Sequence, residues 1–189
     1  MPFLFILLLG IALAAFGFWY LRRFASFKAQ RPEDYRDSQP RLDLVRHLSG
    51  RMDCRGVIFG PTGRVTSQFR AVMETRWSGP SGVMDETFVY DDGSRQSRQW
   101  RLTIGSDGSL RAEADDVLEA GHGQTSGNTL RLAYTIRLPR ENGGHLLDAV
   151  DWMYLQADGT ILNRSQFRKW GVKVAELFCV MTPAERRDA

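Results

Sequence analysis

Five charged side chains stand in or beside otherwise apolar segments: Glu86, Arg98, Asp116, Asp151 and Arg164. Glu86 alternates in step with Phe88 and Tyr90, and Arg98 with Trp100, Leu102 and Ile104. An isolated charge carried into a core costs several kcal/mol, so such groups must pair if they point inward. Glu86 and Arg98 fall on consecutive strands of one predicted hairpin and are the first candidates for a pair. The chemistry this predicts is recognition. Glu86, Arg98, Asp116, Asp151 and Arg164 would line one end of a cavity and fix the polar head of a ligand, whose apolar tail lies against Trp100, Trp152, Phe88 and Leu102. The competing reading is an ion-pair and turn network that holds strands in register.

Other chemistries find little support. Asp91-Asp92 and Asp115-Asp116 are adjacent carboxylates, and neighbours on a strand point to opposite faces, so neither pair forms an acid/base couple. Asp91-Asp92-Gly93 reads as a turn. His122 lies between Gly121 and Gly123, but no helix follows to make this a phosphate loop. No serine or cysteine sits in a nucleophile-elbow context. Cys54, Cys179, His47, His122 and His145 form no CxxC, HxxxH or HExxH spacing, so neither a metal nor a cofactor is expected. Cys54 belongs to the first predicted strand and Cys179 to the last. They read as two small buried apolar residues, or as a disulfide if those strands are neighbours.

The elements that must position these residues are strands. Val65, Ser67, Phe69, Ala71, Met73, Thr75 and Trp77 alternate with Arg64, Thr66, Gln68, Arg70, Val72, Glu74 and Arg76. Leu130, Leu132, Tyr134, Ile136 and Leu138 alternate in the same way with Arg131, Ala133, Thr135 and Arg137. A period of two makes one strand face apolar and the other wet. Between such runs stand Gly60-Pro61-Thr62-Gly63, Ser78-Gly79-Pro80-Ser81-Gly82, Asp91-Asp92-Gly93, Ser106-Asp107-Gly108, Ser126-Gly127-Asn128, Glu141-Asn142-Gly143-Gly144 and Ala157-Asp158-Gly159, all turn signals. About ten strands with short connections predict an all-β, antiparallel up-and-down meander. Such a meander exposes two edges unless it closes, which predicts a closed lipocalin-like barrel over residues 48–182.

The chain begins differently. Residues 2–21 carry no charge and end in Trp19-Tyr20. About 20 apolar residues span a ~30 Å hydrocarbon core, so a transmembrane helix is expected. No Lys or Arg precedes the run and no small-x-small site ends it, which favours a retained anchor over a cleaved signal. Residues 22–47 read as a solvated linker in which a short helix around Leu42–Leu48 is an alternative, and residues 183–189 as a tail. Arg22, Arg23, Lys28 and Arg31 follow the helix, and the positive-inside rule then places the C-terminal domain in the cytoplasm. Across the 189 residues, 25 Lys and Arg are nearly balanced by 22 acids and are scattered, which argues against nucleic acid as a partner.

Several segments resemble the bacterial family catalogued as domain of unknown function 3833: Glu86-Thr-Phe-Val-Tyr-Asp-Asp-Gly93, Arg98-Gln-Trp100, Ala114-Asp-Asp-Val117, Gly123 with Gly127-Asn128, Asp151-Trp-Met-Tyr154, and Asn163-Arg-Ser165 with Lys169-Trp-Gly171. The resemblance covers roughly Leu48 to Val180. It implies an exported, lipoprotein-like envelope protein with a periplasmic domain. This chain departs from that pattern in having no lipidation cysteine after its apolar run, so the helix itself would hold it in the bacterial inner membrane as a single-pass protein. The function expected is a membrane-tethered binder of a lipid or other hydrophobic small molecule. The alternatives are a non-catalytic structural or interaction module of the envelope and, below that, an enzyme acting on lipid-derived substrates.

Overall fold

The computed structural model describes residues 2–140 and 143–184, with the side chains of Pro2 and Arg22 left aside. The expected turn residues Glu141 and Asn142, and the tail from residue 185 onward, lie outside the described residues. The chain divides into two units, one up to Asp34 and one from Tyr35 onward.

The first unit is a helix, α1 (Pro2–Phe24), a 3-10 turn at Phe27–Ala29 and most of a second at Pro32–Tyr35. The helix runs to Phe24 and not to Leu21 because Arg22, Arg23 and Phe24 carry on its backbone pattern without a breaker. Phe3–Leu21 is one apolar, exposed stretch long enough to cross a membrane, compatible with a membrane anchor or a signal sequence.

The second unit is a closed barrel of ten antiparallel strands. These are β1 (Gly50–Phe59), β2 (Val65–Ser78), β3 (Ser81–Tyr90), β4 (Arg95–Ile104), β5 (Ser109–Glu113), β6 (Gly121–Ser126), β7 (Thr129–Arg137), β8 (Leu146–Leu155), β9 (Ile161–Lys169) and β10 (Val172–Pro183). Each strand pairs with the one before it, and β1 closes on β10 with Met52 opposite Pro183 and Cys54 opposite Met181. Closure satisfies both edges of the meander. Alternation in β2 puts Phe69, Ala71, Met73 and Thr75 in the interior, and in β7 it does the same for Leu130 and Leu132. Most expected Gly turns connect strands as predicted. The β9–β10 hairpin adds one, Trp170-Gly171, with φ of 52° and 79°.

The 22–47 linker is corrected in its second half. From Tyr35 the chain is not a solvated tether but a strap packed on the barrel. The Tyr35 ring lies 5.4 Å from Trp152 and 5.7 Å from Tyr154, and Leu42 N–H donates to the Gly127 carbonyl at 2.8 Å. The strap ends in a one-turn helix, α2 (Leu44–His47), whose start is capped by Asp43, accepting from Arg46 N–H at 3.0 Å. Leu44 and Leu48 are buried among Met52, Leu155 and Ile161 and close one end of the barrel. Burial of each leucine contributes about 1.5–3 kcal/mol, which outweighs the polar character that made the segment look solvated.

Gly127 is what lets the strap seat. Its φ is +52°, and a Cβ there would meet the Tyr35 carbonyl oxygen at 1.8 Å and that of Ser38 at 2.9 Å. Gly127→Ala is therefore expected to lift the strap and cost about 2–4 kcal/mol in chemical denaturation, with faster proteolysis within residues 35–48. Unchanged stability would contradict this packing.

Candidate functional site

The barrel encloses a cavity of about 820 Å³ that runs from Leu48 at the plugged end to the β3–β4 turn (Asp92, Ser94) and Pro139 at the other. Its floor is apolar, with Met84, Leu102, Leu110 and Leu130, and so is its upper wall, with Phe88, Ile136, Leu147 and Phe167. A belt of polar side chains crosses the interior at mid-depth.

Strand register builds half of that belt. Glu86 on β3 stands directly opposite Arg98 on β4. Both line the cavity, and Glu86 is buried. Asp116 comes from the seven-residue connection between β5 and β6, which folds back so that Arg137 N–H donates to the Asp116 carbonyl at 2.7 Å and Val117 bridges to Ile136. This delivers the Asp116 carboxylate to Arg98, whose Nε donates to Oδ1 at 3.0 Å. Asp115, its neighbour, points outward and accepts from Arg101 at 3.1 Å. The Arg98 guanidinium also lies 4.0 Å above the Trp100 ring and 5.6 Å from that of Tyr134, which meets Trp100 edge-on at 5.3 Å.

Asp151 on β8 and Ser165 on β9 face each other in register, and both enter the cavity with Asn163. Asn163 Nδ2 donates to Ser165 Oγ at 3.1 Å. Oδ1 of Asp151, Oδ1 of Asn163 and Nη2 of Arg98 are buried without a hydrogen-bond partner. Toward the plugged end, Cys54 and Cys179 are buried free thiols on paired strands.

Burial governs the electrostatics. It pushes Glu86 from 4.5 up to about 7, against the pull of Arg98 and with added repulsion from Asp151. Burial likewise raises Asp151, opposed by Ser165, Tyr134 and Arg98. The same desolvation works against charge on Arg98, but Tyr134, Asp116 and Glu86 outweigh it and hold the guanidinium ionised. Cys54 beside it, and burial, push the Cys179 thiol up, so Cys179 is not a ready nucleophile.

The raised Glu86 carboxyl makes stability pH-dependent. Between the ordinary carboxylate range and about 7, the folded chain keeps a proton that the unfolded chain has released. The stability from this group is therefore full at low pH and falls as pH rises through that window. A shift of this size corresponds to roughly 3 kcal/mol. Denaturant melts of the wild type are expected to lose most of that between about pH 5 and 8, while Glu86→Gln loses less, keeping only the slope that Asp151 gives. Parallel profiles would contradict the burial.

Two of the expected site residues are not in the cavity. Asp151 and Trp152 are consecutive on a strand, so when Asp151 and Met153 face in, Trp152 faces out. Tyr35 from the strap and Tyr154 from β8 itself cover it on the outer surface. Arg164 is likewise outside, between inward-facing Asn163 and Ser165, and its Nε donates to Glu176 Oε1 at 2.6 Å. Gln166 and Lys173 also donate to Glu176. Glu86, Arg98, Trp100, Asp116 and Asp151 do converge. Tyr134, Asn163 and Ser165 complete the belt, and strand parity was the signal for them: Tyr134 lies in the apolar alternation of β7, and Asn163 and Ser165 share the face opposite to Arg164. Among the described residues no group of three His, Cys, Asp or Glu side chains is placed to hold a metal ion.

The barrel is similar to three solved structures. One is Rv2717c of M. tuberculosis, with TM-score 0.54 and 18% identity over 77% of this chain and 98% of that one. Another is the S-type phycobiliprotein lyase CPES from Guillardia theta, with TM-score 0.53 and 8% identity over 74% and 89%. The third is a protein of unknown function of the DUF3598 family from Nostoc punctiforme, with TM-score 0.52 and 10% identity over 76% of this chain and 49% of that chain, so the match spans about half of its length. At such identities the likeness is one of fold: a lipocalin-like barrel. No curated protein matches the chain in sequence. The family profile described as protein of unknown function (DUF3833) matches residues 21–183, which takes in the barrel, the strap and every residue of the polar belt, and the chain belongs to that family.

Proposed function

We propose that the barrel binds one hydrophobic small molecule, a lipid or a compound of similar character, and that α1 tethers it to a membrane. The observation that carries this is the cavity itself. Its volume of about 820 Å³ falls within the roughly 300–1,000 Å³ typical of ligand sites, and apolar walls surround a few convergent polar groups. A charge network serving only strand register has no need of an open interior above and below it. The ligand's polar part sits at the Glu86–Arg98–Asp151 level, and its apolar part runs along Phe88, Ile136, Leu147 and Phe167. Trp100 supports Arg98 from below. The closed strand order leaves no unpaired edge for a partner strand, which weighs against docking by strand addition. The phycobiliprotein lyase of the same fold supports the reading only in that such a barrel hosts a function in another protein. Native mass spectrometry of the full chain extracted from membranes in mild detergent tests it. A stoichiometric hydrophobic adduct is the expected result. A bare chain that also takes up no added lipid would sink the idea.

A further inference from the structure

The charged belt is unbalanced in sign. At mid-depth the carboxyls of Glu86, Asp116 and Asp151 meet the single guanidinium of Arg98. Asp92 and Arg95, at the mouth, add one charge of each sign. Arg98 is already engaged by Asp116 at 3.0 Å and by the face of Trp100 at 4.0 Å. The unpartnered atoms lean the same way. Asp151 Oδ1 and Asn163 Oδ1 are acceptors on residues only 6% and 8% exposed, and a single donor, Arg98 Nη2, is left over.

Resting on the reading of the cavity as a site for a hydrophobic ligand, we propose that the ligand's head is a cationic amine, seated between Glu86 and Asp151, with an adjacent oxygen on the ligand accepting from Arg98 Nη2. An ammonium group offers three donors and no acceptor, which suits this set of oxygens. A carboxylate head reaching Arg98 Nη2 would lie beside the carboxyls of Glu86, Asp116 and Asp151 in a medium of low dielectric. The groups facing Glu86 are Arg98 from β4, Asp116 from the β5–β6 connection, Tyr134 from β7 and Asp151 from β8, with Tyr90 above it on its own strand. Only Arg98 among them is cationic. A bound ammonium therefore favours the ionised form of Glu86, and amine affinity rises as pH passes through about 7.

The test uses the full chain in lipid nanodiscs, titrated separately with dodecylamine, dodecanol and dodecanoic acid, with binding read from tryptophan emission. At about pH 8, dodecylamine is expected to bind roughly tenfold or more tightly than dodecanoic acid, and the preference should narrow at about pH 6. Glu86→Gln and Asp151→Asn should each bring the amine-over-acid preference to about threefold or less. Dodecanoic acid binding as tightly as the amine, with dodecanol also bound, overturns the amine head and leaves the cavity reading standing. Binding of none of the three overturns the cavity reading itself.

Discussion

Arg98→Met is expected to destabilise the barrel by about 3–5 kcal/mol, because it strands buried carboxyls that share one guanidinium. Asp116, with a side chain 27% exposed, can turn toward water. Glu86 and Asp151 cannot: both are buried and both are held down by the charge of Arg98. Without Arg98 their carboxyls rise further above the unfolded values. A raised carboxyl favours the folded state at low pH and loses that contribution as pH climbs. The defect should therefore be smaller at about pH 5 than at about pH 8 in urea denaturation. The double variant Arg98→Met with Glu86→Gln should recover part of the loss, since one of the stranded acids is then neutral. Additive effects of the two substitutions would show that Glu86 and Arg98 do not interact.

Trp152→Ala is expected to cost about 3–5 kcal/mol, as large aromatic truncations in cores do, and to act without touching the cavity. Trp152 is 1% exposed, yet it is on the outer face of β8 and depends on Tyr35 for its cover. The loss should be largely shared with Tyr35→Ala in a double-mutant cycle, measured by thermal or chemical unfolding. Where the variant remains folded, its uptake of a hydrophobic ligand should match the wild type. Impaired uptake by a folded Trp152→Ala protein would return this residue to the site.

These two residues also show what the amino-acid pattern could and could not convey. The ten strands, their order and their closure follow from a period of two and from Asp-Gly and Ser-Gly turns, signals that are local and repeated. Glu86 and Arg98 were legible for the same reason, since a short hairpin turn fixes which residues face each other. Asp151 and Trp152 were not separable by composition, because both are buried and only strand parity divides them. Parity alone would have sent one of them outward. That the outward one is nevertheless buried depends on a strap far away in sequence, whose docking needs the missing side chain of Gly127. Arg164 failed as a cavity residue on the same parity, with Asn163 and Ser165 taking the inward positions on either side. Asp116 lies in a connection between strands, where no period defines a direction, and only the fold-back of that connection onto β7 brings it to Arg98.

The central claim, that the interior receives a hydrophobic ligand whose polar end sits at the Glu86–Arg98–Asp151 belt, is tested most directly by a crystal structure of the full chain purified from membranes. The expected result is elongated density along Phe88, Ile136 and Leu147, with its polar end within hydrogen-bonding distance of the belt. An interior filled by the chain's own side chains, with Arg98 and its partners closed on one another, would contradict it.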